Sequence, residues 1–419
     1  MPLLERHLTT EVSGLMETFR LVVLGGARQT GKTTLVREQL GLGPAARLSF
    51  DDESVLRSAE EDPVGLVGGL PSPTMVDEFQ RAGRGFLLAV KQRVDRDSAR
   101  GQFLLTGSAN YLAGRGVAET LAGRAGRAVL WPLSMGERLG VRESFLDRLF
   151  EPETWPPRPA PITRTDLVEA MLAGGFPEVV TQGLSNRRRH TWFGGYAADV
   201  VSREALRPMA DVRMEAELRT VLRLLALRTS SELVITELAN DAQLSRSTAA
   251  NYVSLLEALY LVVQIPAWST NITTQVKRRS KIVISDTGLA ADLCAVRPAD
   301  FAATADGRSA GGLFETFVAT ELLKQAGWSE RTVDLFHYRD RAGPEVDVVV
   351  EDRHSGRVAG VEIKLTATPL ARHARHLALL RDRLGQRFTM GVVVHAGAQT
   401  LPLGPRLWAV PVSALWHTD

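Results

Sequence analysis

One short segment contains the residues best suited to chemistry. Residues 26–33 read Gly-Ala-Arg-Gln-Thr-Gly-Lys-Thr, the complete G-x-x-x-x-G-K-[ST] pattern of a phosphate-binding loop. In such a loop the backbone N–H groups surround a triphosphate, Lys32 reaches the β- and γ-phosphates, and Thr33 holds Mg²⁺. The pattern therefore predicts that ATP or GTP binds to Gly26, Ala27, Arg28, Gln29, Thr30, Gly31, Lys32, Thr33 and Thr34.

A phosphate-binding loop works only between a buried strand and the start of a helix, so the flanking residues matter. The run Leu-Val-Val-Leu at 21–24 predicts that strand, and LVREQL at 35–40 predicts the helix. A second, largely apolar run at 73–76 ends in Asp77 and Glu78. There we expect Asp77 to bind the Mg²⁺ hydration shell and Glu78 to polarise the attacking water.

Two further segments supply candidates for sensing the γ-phosphate. The strand predicted at 103–106 runs into Gly-Ser-Ala-Asn, where small polar side chains suit water positioning; this favours Ser108, with Asn110 second, against a simple turn. Arg124 lies beyond the predicted sheet and is a candidate for stabilising transition-state charge, within one subunit or from a neighbour. Arg127 competes for that role, and a plain surface arginine is the alternative interpretation.

Composition and charge narrow the class of protein. The 419 residues are 44% hydrophobic and 23% charged, which is ordinary for a globular chain of several domains. The single cysteine, Cys294, excludes a disulfide framework. Because no apolar run approaches ~18 residues and the N-terminus lacks a signal-peptide pattern, we expect a cytoplasmic protein without membrane contact. With a net charge of +2, nucleic-acid binding would depend on local patches.

The chain divides into four parts, and the predicted fold class is multidomain α/β. Apolar runs alternating with helical periodicity predict a P-loop ATPase domain with a parallel sheet at 1–150. A proline-rich, stiff connector and a helical lid follow at 151–211. We assign 212–295 to a winged-helix domain and 296–419 to a restriction-endonuclease-like α/β domain.

The third part has the pattern of a helix-turn-helix. A short helix from about residue 235 is followed by a turn and a second helix, whose polar leading edge contains Arg246 and Ser247. In DNA-binding proteins this edge meets bases and phosphates. The basic run that precedes the next strand suits a wing, with DNA contacts from Lys277, Arg278, Arg279 and Lys281. Winged helices also dock proteins, and a run of cations is usually a solvated face, so both interpretations stay open.

The last part combines acids and a lysine in a nuclease-like spacing. Glu315 lies on a predicted helix, Asp347 begins one strand, and Glu362-Ile-Lys364 forms E-x-K on the next. At one edge of a small sheet, Glu315, Asp347 and Glu362 can hold Mg²⁺ or Mn²⁺, and Glu362 and Lys364 are the candidate catalytic residues. The lysine can orient or activate the hydrolytic water. The spacing resembles the PD-(D/E)xK phosphodiesterase superfamily, with Val346 in place of proline. An inactive core with structural acids is the alternative.

A set of longer motifs resembles the prokaryotic AAA_14 family of AAA+-type ATPases, in which a DUF4143 region follows the ATPase. The motifs are GARQTGKTTL, VDEFQ, LLTGSAN, LAGRA and GGFPE, with IPAW, SDTGL and EVD later in the chain. The resemblance implies ATP rather than GTP, Mg²⁺ as the metal, and Asp77 with Glu78 as the Walker B pair.

These patterns together predict a Mg²⁺-dependent ATPase that binds and remodels DNA, as in helicase action or branch migration, with metal-dependent cleavage as an added activity. A homo-oligomer follows if Arg124 acts on a neighbouring subunit. The rival belongs to another class: a nucleotide-switched protein-interaction module, signalling or toxin-regulating, with an inactive nuclease-like core. The near-neutral net charge favours the rival, and the basic run disfavours it.

Overall fold

The fold was obtained as a computed structural model. The structure describes residues 3–43, 46–108, 121–152, 155–156, 161–203, 212–270, 275, 278–302, 308–340 and 343–417. Among these residues, no helix has both the length and the apolar composition needed to cross a membrane.

The N-terminal region is built on a five-stranded sheet in which every neighbouring pair is parallel. Its spatial order is β2-β3-β4-β1-β5. The strands are β1 (Leu21–Gly25), β2 (Arg47–Ser49), β3 (Thr74–Asp77), β4 (Phe103–Thr106) and β5 (Ala125–Val129). Because parallel strands all end at the same edge, the residues that follow β1, β3 and β4 meet there.

Apolar residues cover both faces of this sheet. Alternate positions of β1 point to opposite sides, so Leu21 and Val23 join one hydrophobic cluster, whereas Val22 and Leu24 join another. A strand that is buried on both faces needs the continuous apolar run seen in the sequence. The helices around the sheet are α1 (Leu8–Thr18), α2 (Lys32–Thr34), α3 (Glu53–Glu61), α4 (Pro63–Gly69) and α5 (Gly83–Arg96). A π-helical turn at Leu35–Gln39 continues α2 directly.

The middle region is mainly helical, with one small antiparallel sheet of order β6-β8-β7. Its strands are β6 (Ser231–Glu232), β7 (Val262–Ile265) and β8 (Lys281–Ile284). The helices are α6 (Met135–Leu139), α7 (Phe145–Arg148), α8 (Arg164–Ala173), α9 (Pro177–Gln182), α10 (Asn186–Arg203), α11 (Val212–Leu227), α12 (Ile235–Asp241), α13 (Arg246–Ala258) and α14 (Thr287–Leu293).

The C-terminal region is a six-stranded mixed sheet of order β13-β14-β12-β11-β10-β9. Its strands are β9 (Val333–Arg339), β10 (Glu345–Asp352), β11 (Val358–Lys364), β12 (Phe388–His395), β13 (Leu401–Gly404) and β14 (Leu407–Pro411). Two longer helices, α15 (Arg308–Gln325) and α16 (Arg375–Leu384), pack on it.

One hydrophobic cluster joins the middle and C-terminal regions. It includes Leu222 and Leu256 from the middle helices, Phe314 from α15 and Val361 from the C-terminal sheet. The two regions therefore share a core, which fixes the position of β8 relative to β10 and β11.

A buried carboxylate explains two of the motifs noted in the sequence. Asp286 begins α14 by accepting the Leu289 N–H at 2.9 Å, and it also accepts the Gly175 N–H at 2.6 Å. A Cβ on Gly174, whose φ is +65°, would lie 2.2 Å from Asp286 Oδ1, and one on Gly175 would lie 2.3 Å from the Leu133 carbonyl oxygen. The first glycine of GGFPE is thus required by contact with the aspartate of SDTGL, and the second by contact with the Leu133 backbone. Burial raises the pKa of Asp286.

Most of the predicted proline-rich connector, residues 153–154 and 157–160, lies outside the described residues. Its described part is docked on the middle region. The Trp155 ring meets Phe145 edge to face with centroids 6.0 Å apart, and its indole N–H donates to the Arg148 carbonyl at 2.7 Å.

Candidate functional site

The phosphate-binding loop leaves the end of β1 in a conformation that requires glycine at two positions. Gly26 has φ +146°, and a Cβ there would lie 2.3 Å from the Leu130 carbonyl oxygen. Gly31, with φ +94°, stands immediately before α2. Both are the glycines of the sequence pattern, and L side chains rarely adopt these φ values. The backbone of the loop therefore depends on the residues that define its motif.

Lys32 folds back onto its own loop. Its side chain is largely buried, and Nζ donates to the carbonyl oxygens of Gly26 at 2.8 Å and Ala27 at 2.9 Å. Thr30 Oγ1 also donates to the Ala27 carbonyl at 2.9 Å. The ammonium group thus spans the loop. Two backbone carbonyls of the loop hold it in the space that the phosphates of a bound nucleotide would enter.

Asp77 links the loop to the neighbouring strands. It ends β3, where its Oδ2 accepts the Thr33 hydroxyl at 2.9 Å and its Oδ1 accepts the Thr106 hydroxyl at 2.5 Å. Thr106 is the register partner of Asp77 on β4. Mg²⁺ prefers oxygen ligands, and here a hydroxyl and a carboxylate stand side by side next to the loop. The residues present therefore fit a bound Mg²⁺.

Glu78 is held beside this pair in an unusual backbone conformation. Its φ of +51° and ψ of +40° are left-handed, which is uncommon for a residue with a side chain. The carboxylate Oε2 accepts the Ser108 hydroxyl at 3.0 Å and also accepts the Gln80 amide N–H. The structure thus brings Lys32, Thr33, Asp77, Glu78 and Ser108 together at one edge of the sheet, whereas Asn110 lies outside the described residues.

Arg6 is a further residue at the loop that the sequence patterns did not reveal. Its buried guanidinium donates to the carbonyl oxygens of Thr30 at 2.7 Å and Trp131 at 2.6 Å. Its Nε pairs with Glu137 Oε1 at 3.0 Å. Glu137 also accepts the backbone N–H of His7 at 2.9 Å. A planar guanidinium therefore fixes the back of the phosphate-binding loop to α6, and no short motif marks an arginine that acts across 131 residues.

Two tyrosines of the middle region contact the loop or the residue immediately before it. Tyr196 Oη donates to the Arg28 carbonyl at 3.3 Å. Tyr260 Oη packs so closely on Gly25 that a Cβ there would lie 2.0 Å from it, and the Tyr260 ring meets Trp131 edge to face at 5.9 Å. Burial raises the pKa of Tyr260 to about 12. The nucleotide loop is thus in direct contact with the helical region that follows the ATPase sheet.

Arg124 does not lie near the loop in its own chain. It immediately precedes β5, whose first residue pairs with Leu21 at the start of β1, so it lies at the opposite edge of the sheet. Five strand residues separate the two edges by roughly 16 Å. Its guanidinium binds Asp95 through two hydrogen bonds, of 2.5 and 3.0 Å. Arg124 therefore lies away from the loop of its own subunit, and its action on a neighbouring subunit stays a prediction. Its competitor Arg127 lies within β5, and its charge opposes the raising effect of burial on the pKa of Tyr260.

The predicted DNA-contacting residues lie in two places, at the first turn of α13 and in the basic run that leads into β8. Arg246 and Ser247 are exposed at the first turn of α13, after Ser245, whose Oγ accepts the Thr248 N–H at 3.1 Å. Arg279 is exposed, whereas Arg278 is half-buried and donates to the Arg339 carbonyl at 2.8 Å. Lys277 lies outside the described residues.

Lys281 requires a correction. The basic run predicts an exposed lysine, but Lys281 is only 2% exposed. The reason is that it is the first residue of β8, the central strand of the small sheet, and its side chain enters the C-terminal region. Its Nζ lies 2.5 Å from Glu315 Oε1 and 3.6 Å from Asp347 Oδ1. Lys281 therefore belongs to the acidic cluster rather than to a DNA-binding surface.

The structure brings the predicted nuclease-like residues together around this lysine. Lys364 Nζ lies 2.6 Å from Glu362 Oε1 and 3.5 Å from Asp347 Oδ2. Asp347 Oδ2 also accepts the Ile363 N–H at 2.8 Å. Burial and the charge of Asp347 raise the pKa of Glu315 to about 7 and that of Glu362 to about 8. We call Lys281, Glu315, Glu345, Asp347, Glu362 and Lys364 the lysine–carboxylate cluster.

This cluster does not fit the Mg²⁺ or Mn²⁺ predicted at Glu315, Asp347 and Glu362. The Lys281 ammonium lies between the first two carboxylates. Within the described part of the chain, no three His, Cys, Asp or Glu side chains are placed to hold a metal ion. One oxygen, Glu362 Oε2, is buried without a hydrogen-bond partner among the described residues, whereas its other oxygen, Oε1, is paired with Lys364.

Three family models match successive parts of the chain. Residues 18–139 match the AAA domain model AAA_14, and residues 310–415 match DUF4143, a domain of unknown function. Between them, residues 164–300 match DUF8612, a second domain of unknown function. The resemblance drawn from the motifs is thus confirmed for AAA_14 and DUF4143, whereas the DUF8612 region was not predicted as such.

Two curated mycobacterial proteins are similar along nearly the whole chain. The uncharacterized proteins Mb2031c of Mycobacterium bovis and Rv2008c of Mycobacterium tuberculosis are each 29% identical over 400 residues, which cover 95% of this chain and 81% of theirs.

Two solved structures are also similar. A Walker-type ATPase of Pyrococcus abyssi, PABY2304, has 16% identity and a TM-score of 0.44, covering 70% of this chain and 96% of that one. The RuvB Holliday junction branch migration motor of Thermotoga maritima has 14% identity and a TM-score of 0.31, covering 62% and 89%. The chain is thus an α/β protein whose N-terminal parallel sheet resembles a P-loop ATPase fold and matches an AAA domain model, and whose C-terminal mixed sheet lies in a region that matches DUF4143.

Proposed function

We propose that this protein is a Mg²⁺-dependent ATPase. The observation that carries the proposal is the contact of Asp77 with Thr33 on one side and Thr106 on the other, with Glu78 held next to them by Ser108. A metal-binding oxygen pair and a carboxylate for water activation therefore lie beside a phosphate-binding loop, which is the set of groups that phosphoryl transfer to water needs.

Each residue has a role that follows from its position. Lys32 exchanges its carbonyl contacts for the β- and γ-phosphates, and Thr33 with Asp77 would hold Mg²⁺, which neutralises charge on the phosphates. Glu78 accepts the proton of the attacking water, while Ser108 keeps its carboxylate oriented.

Hydrolysis by the purified full-length chain tests this proposal directly. We expect phosphate release from ATP in the presence of Mg²⁺ and none when EDTA removes the metal. The matched control is Lys32→Ala, which keeps the fold of the sheet but removes the ammonium from the loop, and it should remain inactive with Mg²⁺. Phosphate release that persists in Lys32→Ala would show a contaminating enzyme, and its absence from the wild type in every condition would refute the proposal.

We further propose that hydrolysis moves the middle region and that DNA is the first partner to test. Tyr196 and Tyr260 carry a change in the loop to that region because they contact Arg28 and Gly25. DNA is favoured by the element order, since α12 and α13 are separated by a short turn and the exposed Arg246 stands at the start of the longer helix. This arrangement is typical of a winged helix whose second helix reads a groove.

Charge reversal at α13 gives a sharp test of DNA binding. We expect Arg246→Glu to weaken binding to a four-way junction, duplex or single strand by about tenfold and to lower the salt slope of the affinity. Arg188→Glu, an exposed arginine on α10, makes the same change in net charge and should alter affinity little. Anisotropy titrations at two salt concentrations measure both effects; equal losses in the two variants, or no binding by the wild type, would contradict a site at α13.

A protein partner is the second candidate, and Lys281 favours it. The basic run loses one cation to the lysine–carboxylate cluster, and Arg278 is engaged with a backbone carbonyl. The basic run before β8 therefore presents fewer exposed positive charges than its sequence indicates. In this proposal the protein is a nucleotide-dependent switch, and DNA neither binds nor stimulates ATP hydrolysis. Either proposal includes a homo-oligomer only if Arg124 acts on a nucleotide, because Arg124 needs a second copy of the chain to reach one.

A further inference from the structure

The lysine–carboxylate cluster contains its own cation. Lys281 comes from the middle region, yet its ammonium is surrounded by acids of the C-terminal region. It lies 2.5 Å from Glu315 Oε1, 3.6 Å from Asp347 Oδ1 and 3.7 Å from Glu345 Oε1. We infer that Lys281 takes the place of a divalent metal in this cluster, so that the C-terminal core is held together without one.

The geometry leaves no shared position for a metal. A hard divalent cation in a protein takes about six oxygen ligands. Between α15 and β10, the cluster offers the carboxylates of Glu315 and, more deeply buried than Glu345, of Asp347. Both already face the same ammonium group. A second positive charge between them would be repelled by Lys281, which is only 2% exposed and therefore poorly screened by water.

The second oxygen of Asp347 is also committed. It accepts the Ile363 N–H at 2.8 Å and lies 3.5 Å from Lys364 Nζ. Two lysines thus divide the two oxygens of one aspartate between them. Lys364 in turn is 2.6 Å from Glu362, so that carboxylate is paired as well. Both positive charges of the cluster are therefore lysine side chains, and each lysine is part of a β-strand.

The origin of the lysine matters for what the cluster does. Lys281 begins β8, which pairs with β6 and β7 of the middle sheet, whereas Glu315 belongs to α15 and Asp347 to β10. A metal would bind only C-terminal residues, but the ammonium also attaches the middle sheet. The ion pairs of the cluster therefore link the middle region to the C-terminal region. Because the cation is a lysine side chain, a chelator cannot remove it.

Mn²⁺ binding to the nucleotide-free full chain tests this inference. Titration followed by the paramagnetic resonance of free Mn²⁺ should show no site in the wild type that depends on Asp347. Lys281→Met removes the charge but keeps the length of the side chain, and it should gain one Mn²⁺ site at least about tenfold tighter than any in the wild type. Adding Asp347→Asn to that variant should remove the site. Lys281→Arg keeps the charge and should gain none.

Two results would overturn the inference. One is a wild-type Mn²⁺ site that Asp347→Asn abolishes, because the cluster would then hold metal with Lys281 in place. The other is a folded Lys281→Met variant that binds no more Mn²⁺ than the wild type, because Lys281 would then not be what excludes the metal. Circular dichroism of each variant reports folding, and the comparison of wild type with Asp347→Asn decides the matter alone if Lys281→Met does not fold.

Discussion

Glu78→Gln is expected to lower kcat for ATP hydrolysis by about 10²–10⁴-fold while nucleotide affinity stays close to that of the wild type. The amide has the shape of the carboxylate and can still accept the Ser108 hydroxyl, so the site is preserved. It cannot take a proton from water, so the chemical step fails. The left-handed backbone of Glu78 is unaffected by a change at the end of the side chain.

Single-turnover hydrolysis and fluorescent-nucleotide binding separate these two effects. The matched control is Glu38→Gln, an exposed glutamate just beyond the loop whose partner is Arg37, and it should leave both quantities unchanged. A Glu78→Gln protein that hydrolyses ATP at the wild-type rate would exclude Glu78 as the proton acceptor. A loss of binding equal to the loss of rate would instead assign Glu78 a structural role.

Arg6→Ala is expected to have the largest effect among residues that do not contact nucleotide. It removes two donors from the carbonyls of Thr30 and Trp131 and leaves the buried carboxylate of Glu137 without its paired cation. Breaking a buried ion pair in this way costs about 3–5 kcal/mol of folding stability. Because the loop loses its attachment at Thr30, ATP affinity should fall as well. Urea unfolding and nucleotide titration measure the two losses.

The conservative variant Arg6→Lys separates positioning from stability. A lysine can keep the charge next to Glu137 but cannot serve both carbonyls with a planar fork. We expect ATP affinity about tenfold weaker, from the loss of roughly one hydrogen bond, with most of the stability restored. Arg353→Lys, at the exposed pair with Asp334, controls for the exchange itself. Equal recovery of affinity and stability in Arg6→Lys would contradict a positioning role.

The nucleotide loop was predictable because its chemistry is local. The residues from Gly26 to Thr34 are contiguous, and the apolar run before them is buried on both faces, as a central parallel strand must be. Asp77 and Glu78 could be added because a second strand of this sheet ends there. Thr106 and Arg6 could not, since their partners are distant in sequence and ordinary in type.

The positions of Arg124 and Lys281 could not be predicted for the same physical reason: a sequence shows which residues are charged but not where their elements face. Arg124 precedes a strand, and only the register of β5 on β1 shows that it stands at the edge away from the loop. Lys281 ends a basic run, which is typical of a solvated face, yet it is also the first residue of the apolar strand Ile-Val-Ile. That second fact was present in the sequence and was the available signal for burial.

Helix α15 has a mechanical consequence. Its Glu315 belongs to the lysine–carboxylate cluster, while Glu321 and Lys324, farther along, bind the Met135 N–H and the Leu133 carbonyl next to α6. The nine residue-to-residue steps from Glu315 to Lys324 span about 14 Å of unbroken helix. A helix of that length bends little, so a shift of α6, which Arg6 ties to the phosphate-binding loop, would reach the cluster as a shift of similar size. The proposed ATP hydrolysis would in this way be coupled mechanically to the C-terminal core through α15.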